Sequence, residues 1–187
     1  TGPSLETTEL TSFGKVGRVT DSLGRVTHFS YNALGQMIET SGPGFRESYD
    51  YNDQGLVAAI RDAVGHVTRF SYTGTGALGS LTDARGQRTT FQYNGEGLLS
   101  SETDPSGRTK TYSYDRLGRL VKTINRRGQT ITLAYNDYDQ LVRKELPGQT
   151  ITFAYDGRGR VTAMTDQRGT TGFAYTSQGY LEKVTMP

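Results

Sequence analysis

Eight tyrosines, Tyr31, Tyr51, Tyr72, Tyr93, Tyr114, Tyr135, Tyr155 and Tyr175, stand 20 or 21 residues apart and leave the chain few ways to fold. A fixed period in that range is the signature of a repeat architecture, in which one supersecondary unit is copied and stacked. The clearest copy reads Tyr114-Asp115-Arg116-Leu117-Gly118-Arg119-Leu120. It has a tyrosine, a polar turn starter, two free positions, a glycine, and an apolar residue two places on. The glycines in this register are Gly35, Gly55, Gly76, Gly97, Gly118, Gly159 and Gly179, with Asp139 in the remaining copy. Thr73 and Thr176 replace the Asp or Asn starter in two weaker copies.

The motif has the chemistry of a turn. Asp or Asn at the first position hydrogen-bonds the backbone two residues on, and glycine at the fourth takes positive φ at no side-chain cost. A type I turn closed by a left-handed glycine is a standard link between antiparallel strands. The same chemistry recurs midway between the tyrosines, starting at Asp21, Asp62, Asp83, Asp104, Asn125 and Asp166. Ser41-Gly42-Pro43-Gly44 and Leu146-Pro147-Gly148 are degenerate copies, the second one residue short. Each repeat is therefore predicted to be two short strands and two turns.

Period-two alternation gives those strands a face. Two residues before each tyrosine stands Phe29, Tyr49, Phe70, Phe91, Tyr112, Leu133, Phe153 or Phe173, on the tyrosine's side of the strand. Two residues after each glycine (or Asp139) stands Met37, Val57, Leu78, Leu99, Leu120, Leu141, Val161 or Leu181. Each hairpin should then offer about three core groups, joined into one core only by stacking on neighbours. Glycine every ten or so residues, with Thr, Val, Tyr and Phe between, excludes helix and favours strand. The expected fold is all-β: an antiparallel β-hairpin repeat strip, about 21 residues and two strands per repeat. Some sixteen strands make a strip on the order of 75 Å wide, which must curl into a spiral shell segment or cover something.

Residues 1–12 carry no repeat signal and read as a leader or frayed end; residues 13–187 read as a single array of about eight repeats. Phe13-Gly14-Lys15-Val16-Gly17 reads as a worn tyrosine turn, with Phe13 in the tyrosine's place. The chain has neither an initiating Met nor a signal-like start, and is expected to be an excised or processed piece of something longer. No 18-residue apolar run is present, so no membrane span is expected. The absence of cysteine excludes disulfides and thiolate metal sites.

The motif at Tyr114–Leu120 resembles the YD repeat of the Rhs (rearrangement hotspot) family, shared with the C subunits of insecticidal toxin complexes and with teneurins. The resemblance runs over residues 13–185. It implies a strip of β-hairpins spiralling into a hollow cocoon that, in bacterial members, holds a toxic C-terminal domain. It also implies a secreted or cell-surface location, as part of a larger bacterial protein. The partners implied are the rest of the parent shell and the enclosed passenger; separately, the strip's open ends predict self-association through edge strands. Members that free their toxin do so at an aspartyl-protease core after the last repeats, and no such core is matched here. Asp104-Pro105-Ser106-Gly107 echoes its Asp-Pro-x-Gly signature but sits at a turn that other repeats fill with Asp-x-x-Gly.

Chemistry outside the repeat is sparse. The carboxylates are mostly turn starters, so no acid/base pair stands out and no enzyme is expected. His28 and His66 fall at different repeat positions and read as ordinary histidines. Asn136, Asp137 and Asp139 offer oxygens but not a full calcium ligand set, and no cofactor or metal is expected. Arg116, Arg119, Arg126, Arg127 and Arg158 read as solvated turn residues, and a net charge of +2 gives little attraction for nucleic acid. The alternative function is an extracellular glycan- or protein-binding repeat module, since aromatic faces accept sugar rings.

Overall fold

Local turn chemistry dictates where the strands lie. The computed structural model describes residues 7–187, which contain eighteen strands and no helix. The strands fall into two units, the first ending at Phe91 and the second beginning at Gln92. Within each unit consecutive strands pair antiparallel. The first unit holds β1 (Thr7–Leu10), β2 (Val16–Thr20), β3 (Val26–Tyr31), β4 (Met37–Gly42), β5 (Phe45–Tyr51), β6 (Val57–Arg61), β7 (Val67–Tyr72) and β8 (Leu78–Thr82), with most of β9 (Arg88–Tyr93). The second holds β10 (Leu99–Thr103), β11 (Thr109–Tyr114), β12 (Leu120–Ile124), β13 (Thr130–Tyr135), β14 (Leu141–Leu146), β15 (Gln149–Tyr155), β16 (Val161–Asp166), β17 (Gly169–Tyr175) and β18 (Leu181–Thr185).

Every tyrosine turn is built alike. At Asp115 the carboxylate Oδ1 accepts the N–H groups of Leu117 and Arg119 at 2.9 and 3.0 Å. The Gly118 N–H returns to the Asp115 carbonyl at 3.0 Å, and the Asp115 N–H donates to the Arg119 carbonyl at 3.0 Å. Four local backbone donors are thus satisfied without a partner strand, which is why the starter is Asp or Asn. Where Thr73 and Thr176 stand instead, their hydroxyls accept the N–H groups of Ala77 and Tyr180 at 3.1 and 3.2 Å. Gly118 sits at φ 77° and Asp139, in the same place, at φ 61°. The left-handed residue makes this a bulged turn; beyond it the tyrosine hairpin shifts register once more, so Tyr114 faces Leu120 while Ser113 faces Lys122, a shift that the midway hairpin at Gly107 lacks.

The two spacings of the tyrosines now have a physical origin. Most midway turns are copies of the bulged turn. Between β4 and β5, β14 and β15, and β16 and β17 the link is shorter, pairing Gly42 with Phe45, Leu146 with Gln149 and Asp166 with Gly169. The first two are Pro-Gly links, with Gly44 and Gly148 at φ 80° and 76°, the type II preference. Each drops one residue, and these are the repeats whose tyrosines stand 20 rather than 21 apart. Asp166-Gln167-Arg168-Gly169, expected as a bulged turn, belongs to this shorter class.

The beginning of the array also differs from expectation. Thr7–Leu10, placed in a leader by the sequence, is a strand paired with β2. Residues 1–6 of that leader lie outside the described residues. The first turn runs Thr11-Ser12-Phe13-Gly14, with the Gly14 N–H on the Thr11 carbonyl at 2.9 Å. Leu10, opposite Val16 across the bulge, holds the tyrosine's place, and Phe13 is a turn residue. A leucine there hides the repeat from a search keyed on tyrosine.

One sheet face carries Phe29 opposite Thr40, Tyr49 opposite Ile60, Phe70 opposite Leu81, Phe153 opposite Met164 and Phe173 opposite Val184. The other carries small and polar groups such as Ser71 opposite Ser80 and Ala154 opposite Ala163. The expected continuous core does not form. Among the described residues no hydrophobic side chain is fully buried, and the most enclosed polar group is Ser80, at 4% exposure. The reason is geometric: one sheet layer gives its apolar residues neighbours sideways and none above. The apolar face is also interrupted by charge, with Lys144 opposite Leu133 and Glu102 opposite Lys110.

The turn geometry makes a direct test. Gly118→Val forces a β-branched residue to positive φ and should lower stability by about 2–3 kcal/mol, whereas Gly118→Asn should cost about 1 kcal/mol or less. Urea unfolding measures both, and equal costs would contradict the left-handed assignment. Space is not the obstacle, since an added Cβ would meet only Leu98 Cδ1 at 3.6 Å.

Candidate functional site

The tyrosines do more than end a strand. The Tyr31 hydroxyl donates to the Val16 carbonyl at 2.9 Å, Tyr51 to Met37 at 2.6 Å and Tyr72 to Val57 at 2.7 Å. In the second unit Tyr114 donates to Leu99 at 2.9 Å, Tyr135 to Leu120 at 3.0 Å, Tyr155 to Leu141 at 2.7 Å and Tyr175 to Val161 at 2.8 Å. Each acceptor is the first residue of the second strand of the preceding hairpin. The tyrosine is therefore a tie between repeats, and its ring and hydroxyl are both committed to structure.

A second tie uses a position that the sequence reading left unassigned, the residue directly after the turn glycine. Lys15 lies over the Tyr31 ring at 5.4 Å, Arg119 over Tyr135 at 4.9 Å and Arg160 over Tyr175 at 4.4 Å. Gln36 Nε2 donates to the Gly55 carbonyl at 3.2 Å, while Leu56 and Leu98 lie against Gly76 and Gly118. The signal was available: Lys15, Gln36, Leu56, Leu98, Arg119, Gln140 and Arg160 are long side chains in one register, with Ala77 the short exception. Arg119 joins two turns at once, meeting Asp115 Oδ2 at 2.7 Å and Asp139 Oδ1 at 2.7 Å. Arg126 acts similarly on the opposite edge, reaching back to Glu102 and to Asp104. Arg119 and Arg126 are thus half-buried and paired, which corrects their reading as solvated residues.

Electrostatics follow from these contacts. The Arg160 backbone N–H, and then its guanidinium, hold the Asp156 carboxyl down to about 2. Partial burial pushes Asp115 up, but the Arg119 side chain and backbone N–H outweigh it and leave the pKa lowered. Burial, with a hydrogen bond to Glu47, pushes the Tyr49 hydroxyl up to about 12.

The other candidates are not brought together. His28 lies in β3 opposite Arg18 and Ser41, and His66 Nδ1 meets the Asp62 carboxylate at 2.9 Å within its own turn. Asn136 Oδ1 is occupied by the N–H groups of Tyr138 and Gln140, and Asp139 Oδ1 by Arg119. Among the described residues no three His, Asp or Glu side chains are arranged to hold a metal ion. Asp104-Pro105-Ser106-Gly107 is a turn, its Gly107 N–H on the Asp104 carbonyl at 2.9 Å. The first unit has an aromatic hollow of about 500 Å³ lined by Phe13, Phe29, Tyr31, Leu34 and Lys15.

Two outcomes follow. Tyr135→Phe removes a donor from a half-buried carbonyl and should lower stability by about 1 kcal/mol in urea unfolding, with no change in strand content. An unchanged midpoint would show that water replaces the hydroxyl freely. The Asp156 pair stabilises the fold fully above the ordinary carboxylate value of 3.8 and loses that contribution as pH falls towards about 2. Asp156→Asn should therefore flatten the acid limb of a thermal-stability profile and leave its slope near neutrality unaltered.

Comparison with known proteins agrees with this geometry. The RHS Repeat family model matches residues 12–44, 51–88, 78–109, 93–130 and 135–171, well over half of the chain. No curated protein matches. Among solved structures, TcdB2-TccC3-TEV is similar over 96% of this chain, with TM-score 0.78 and 15% identity. TcdB2-TccC3-Cdc42 gives TM-score 0.71 and 14% identity over 96% of this chain. The Photorhabdus luminescens Tc holotoxin pore gives 0.68 and 13%, again over 96%. This chain spans 11%, 13% and 12% of those chains' lengths. The hairpin period, the tyrosine ties and the family match lead to one conclusion: the chain belongs to the RHS-repeat family and has its β-shell fold.

Proposed function

We propose that the chain is a wall segment of a larger RHS shell whose work is to enclose and protect a passenger polypeptide. The observation that carries this reading is the unfinished apolar face. Phe29, Phe70, Phe153 and Phe173 recur once per repeat on one side of a single layer, and no described hydrophobic side chain is fully buried. A face of that kind is stabilised when something covers it. The commitment of the tyrosines, turn carboxylates and half-buried arginines to ties between repeats favours a structural role over an enzymatic one. The fold likeness to the TcdB2-TccC3 complexes supports a shell, set in a larger, secreted or cell-surface bacterial protein.

Glycan or protein binding by the repeat surface is the second reading, and the hollow beside Phe13, Phe29 and Tyr31 favours it. An array of glycans probed with the chain separates the two. Specific binding at sub-millimolar concentration, lost in Phe13→Ala, would support the module.

Limited proteolysis of the parent polypeptide tests the shell. A passenger inside an intact wall should resist cleavage, and Gly118→Val, which opens a turn in the wall, should expose it. Equal cleavage in both would overturn enclosure. The chain alone should also self-associate, because β18 is exposed along its whole length, with Leu181 at 55%. Sedimentation across a concentration series reads this, and a strictly monomeric species would contradict it.

A further inference from the structure

Two turn starters of the second unit are followed directly by glycine: Asn94 by Gly95 and Asp156 by Gly157. Nothing lies within 4 Å of a Cβ built on either glycine. Without a side chain to obstruct it, the glycine nitrogen has free approach to the side-chain carbonyl carbon of the residue before it. At Asn94 that carbonyl is already polarised. Its Oδ1 accepts the Glu96 N–H at 3.1 Å and the Leu98 N–H at 2.9 Å. Two fixed donors on the oxygen where charge develops are what stabilises a tetrahedral intermediate. We infer that Asn94 is a self-modification site, deamidating through a succinimide, and that Arg160 keeps Asp156 out of the same reaction.

The step balances with water alone. The Gly95 nitrogen bonds to Asn94 Cγ and gives its proton to solvent base. The Cγ–Nδ2 bond breaks, and the nitrogen leaves as ammonia after taking a proton from water. Water then opens the five-membered ring at one of its two carbonyls. Opening at Cγ yields aspartate, which the turn accepts, since Asp115 and Asp156 hold the same pair of N–H groups in their own turns. Opening at the backbone carbonyl yields isoaspartate, whose main chain runs through Cβ and Cγ. That product uses the capping carbonyl as backbone, so the turn loses its cap.

Asp156 shares the glycine and the two donors but differs at the residue after the turn. Arg160 Nε and Nη2 meet Asp156 Oδ2 at 2.8 and 2.7 Å, where the Asn94 turn has Leu98. Ring closure at an aspartate expels water from the protonated acid, and the paired guanidinium keeps this group a carboxylate, consistent with its low pKa. The chain also carries its own controls. Asn32, Asn52, Asn125 and Asn136 have the same two N–H groups on Oδ1 but are followed by Ala33, Asp53, Arg126 and Asp137.

The folded chain, held at mildly alkaline pH, is mapped by peptide mass spectrometry, with isoaspartate scored by an isoaspartyl methyltransferase. Asn94 should convert about tenfold or more faster than the four control asparagines, and Gly95→Ala should bring it down to their rate. Arg160→Leu, which copies Leu98, should switch on isoaspartate at Asp156. Arg160→Gln, as in the Gln36 and Gln140 turns, gives the same reading should the leucine variant not fold. Conversion of Asn94 no faster than the controls, or unaffected by Gly95→Ala, would overturn the site. An Asp156 unchanged in the folded Arg160 variants would overturn its protection.

Discussion

Everything in this molecule depends on a carboxylate or amide oxygen that accepts two backbone N–H groups within five residues. That contact lets the chain reverse direction without help from a distant strand, and it places a left-handed residue at the fourth position. The left-handed residue closes the turn, and in the tyrosine hairpins a further register shift beside the tyrosine sets which residues face each other. Register then decides which face is apolar. It also brings each tyrosine hydroxyl to a carbonyl of the hairpin before it. Asp139 shows how strict the demand is: where the sequence gives up glycine, the backbone still goes to φ 61°.

Because stabilising contacts run to the next hairpin and no further, each unit behaves as a chain of nearest neighbours. Nothing in it resembles a globular interior. The tyrosine hydroxyls, the side chains after the glycines and the sheet hydrogen bonds all act sideways. An apolar core normally supplies most of the driving force for folding, and here it is left half-made. A fold held this way is weak against loss of a single turn and tolerant of change on its faces. Tolerance of that kind fits 12–15% identity to solved structures sharing one shape.

Most of this was legible in the sequence, because the turn signal is local. Gly118 and Asp115 announce a bulged turn wherever they are placed, and the spacing of their copies fixes strand number and pairing. What the sequence hid was the partner of each side chain. Arg119 and Arg126 looked like surface charge, because the turns they reach lie a full repeat away in the chain. Burial was misjudged for a related reason. Alternation shows that Phe70 and Leu81 share a face, but it does not show whether a second layer exists to cover them. Leu10 escaped notice because its place is marked by position, and the tyrosine that usually marks it is absent.

The two edges of the strip are under unequal constraint. On the tyrosine edge all the described turns keep the bulged form, since each one supplies the left-handed residue and most, Ala77 excepted, supply a long side chain directly after it. A shortened turn there would shift the register and draw the tyrosine off its carbonyl. The midway edge carries no such tie in most repeats, and there the chain uses Pro43-Gly44, Pro147-Gly148 and Gln167-Arg168 in place of longer links. That edge does form ties of its own, at the longer Arg126 turn and also between two of the short links, where Gln167 Nε2 donates to the Gly148 carbonyl. The spacing of 20 or 21 residues is therefore a record of the midway link alone: the tyrosine edge holds one turn length, and the midway edge can tie neighbouring hairpins with either.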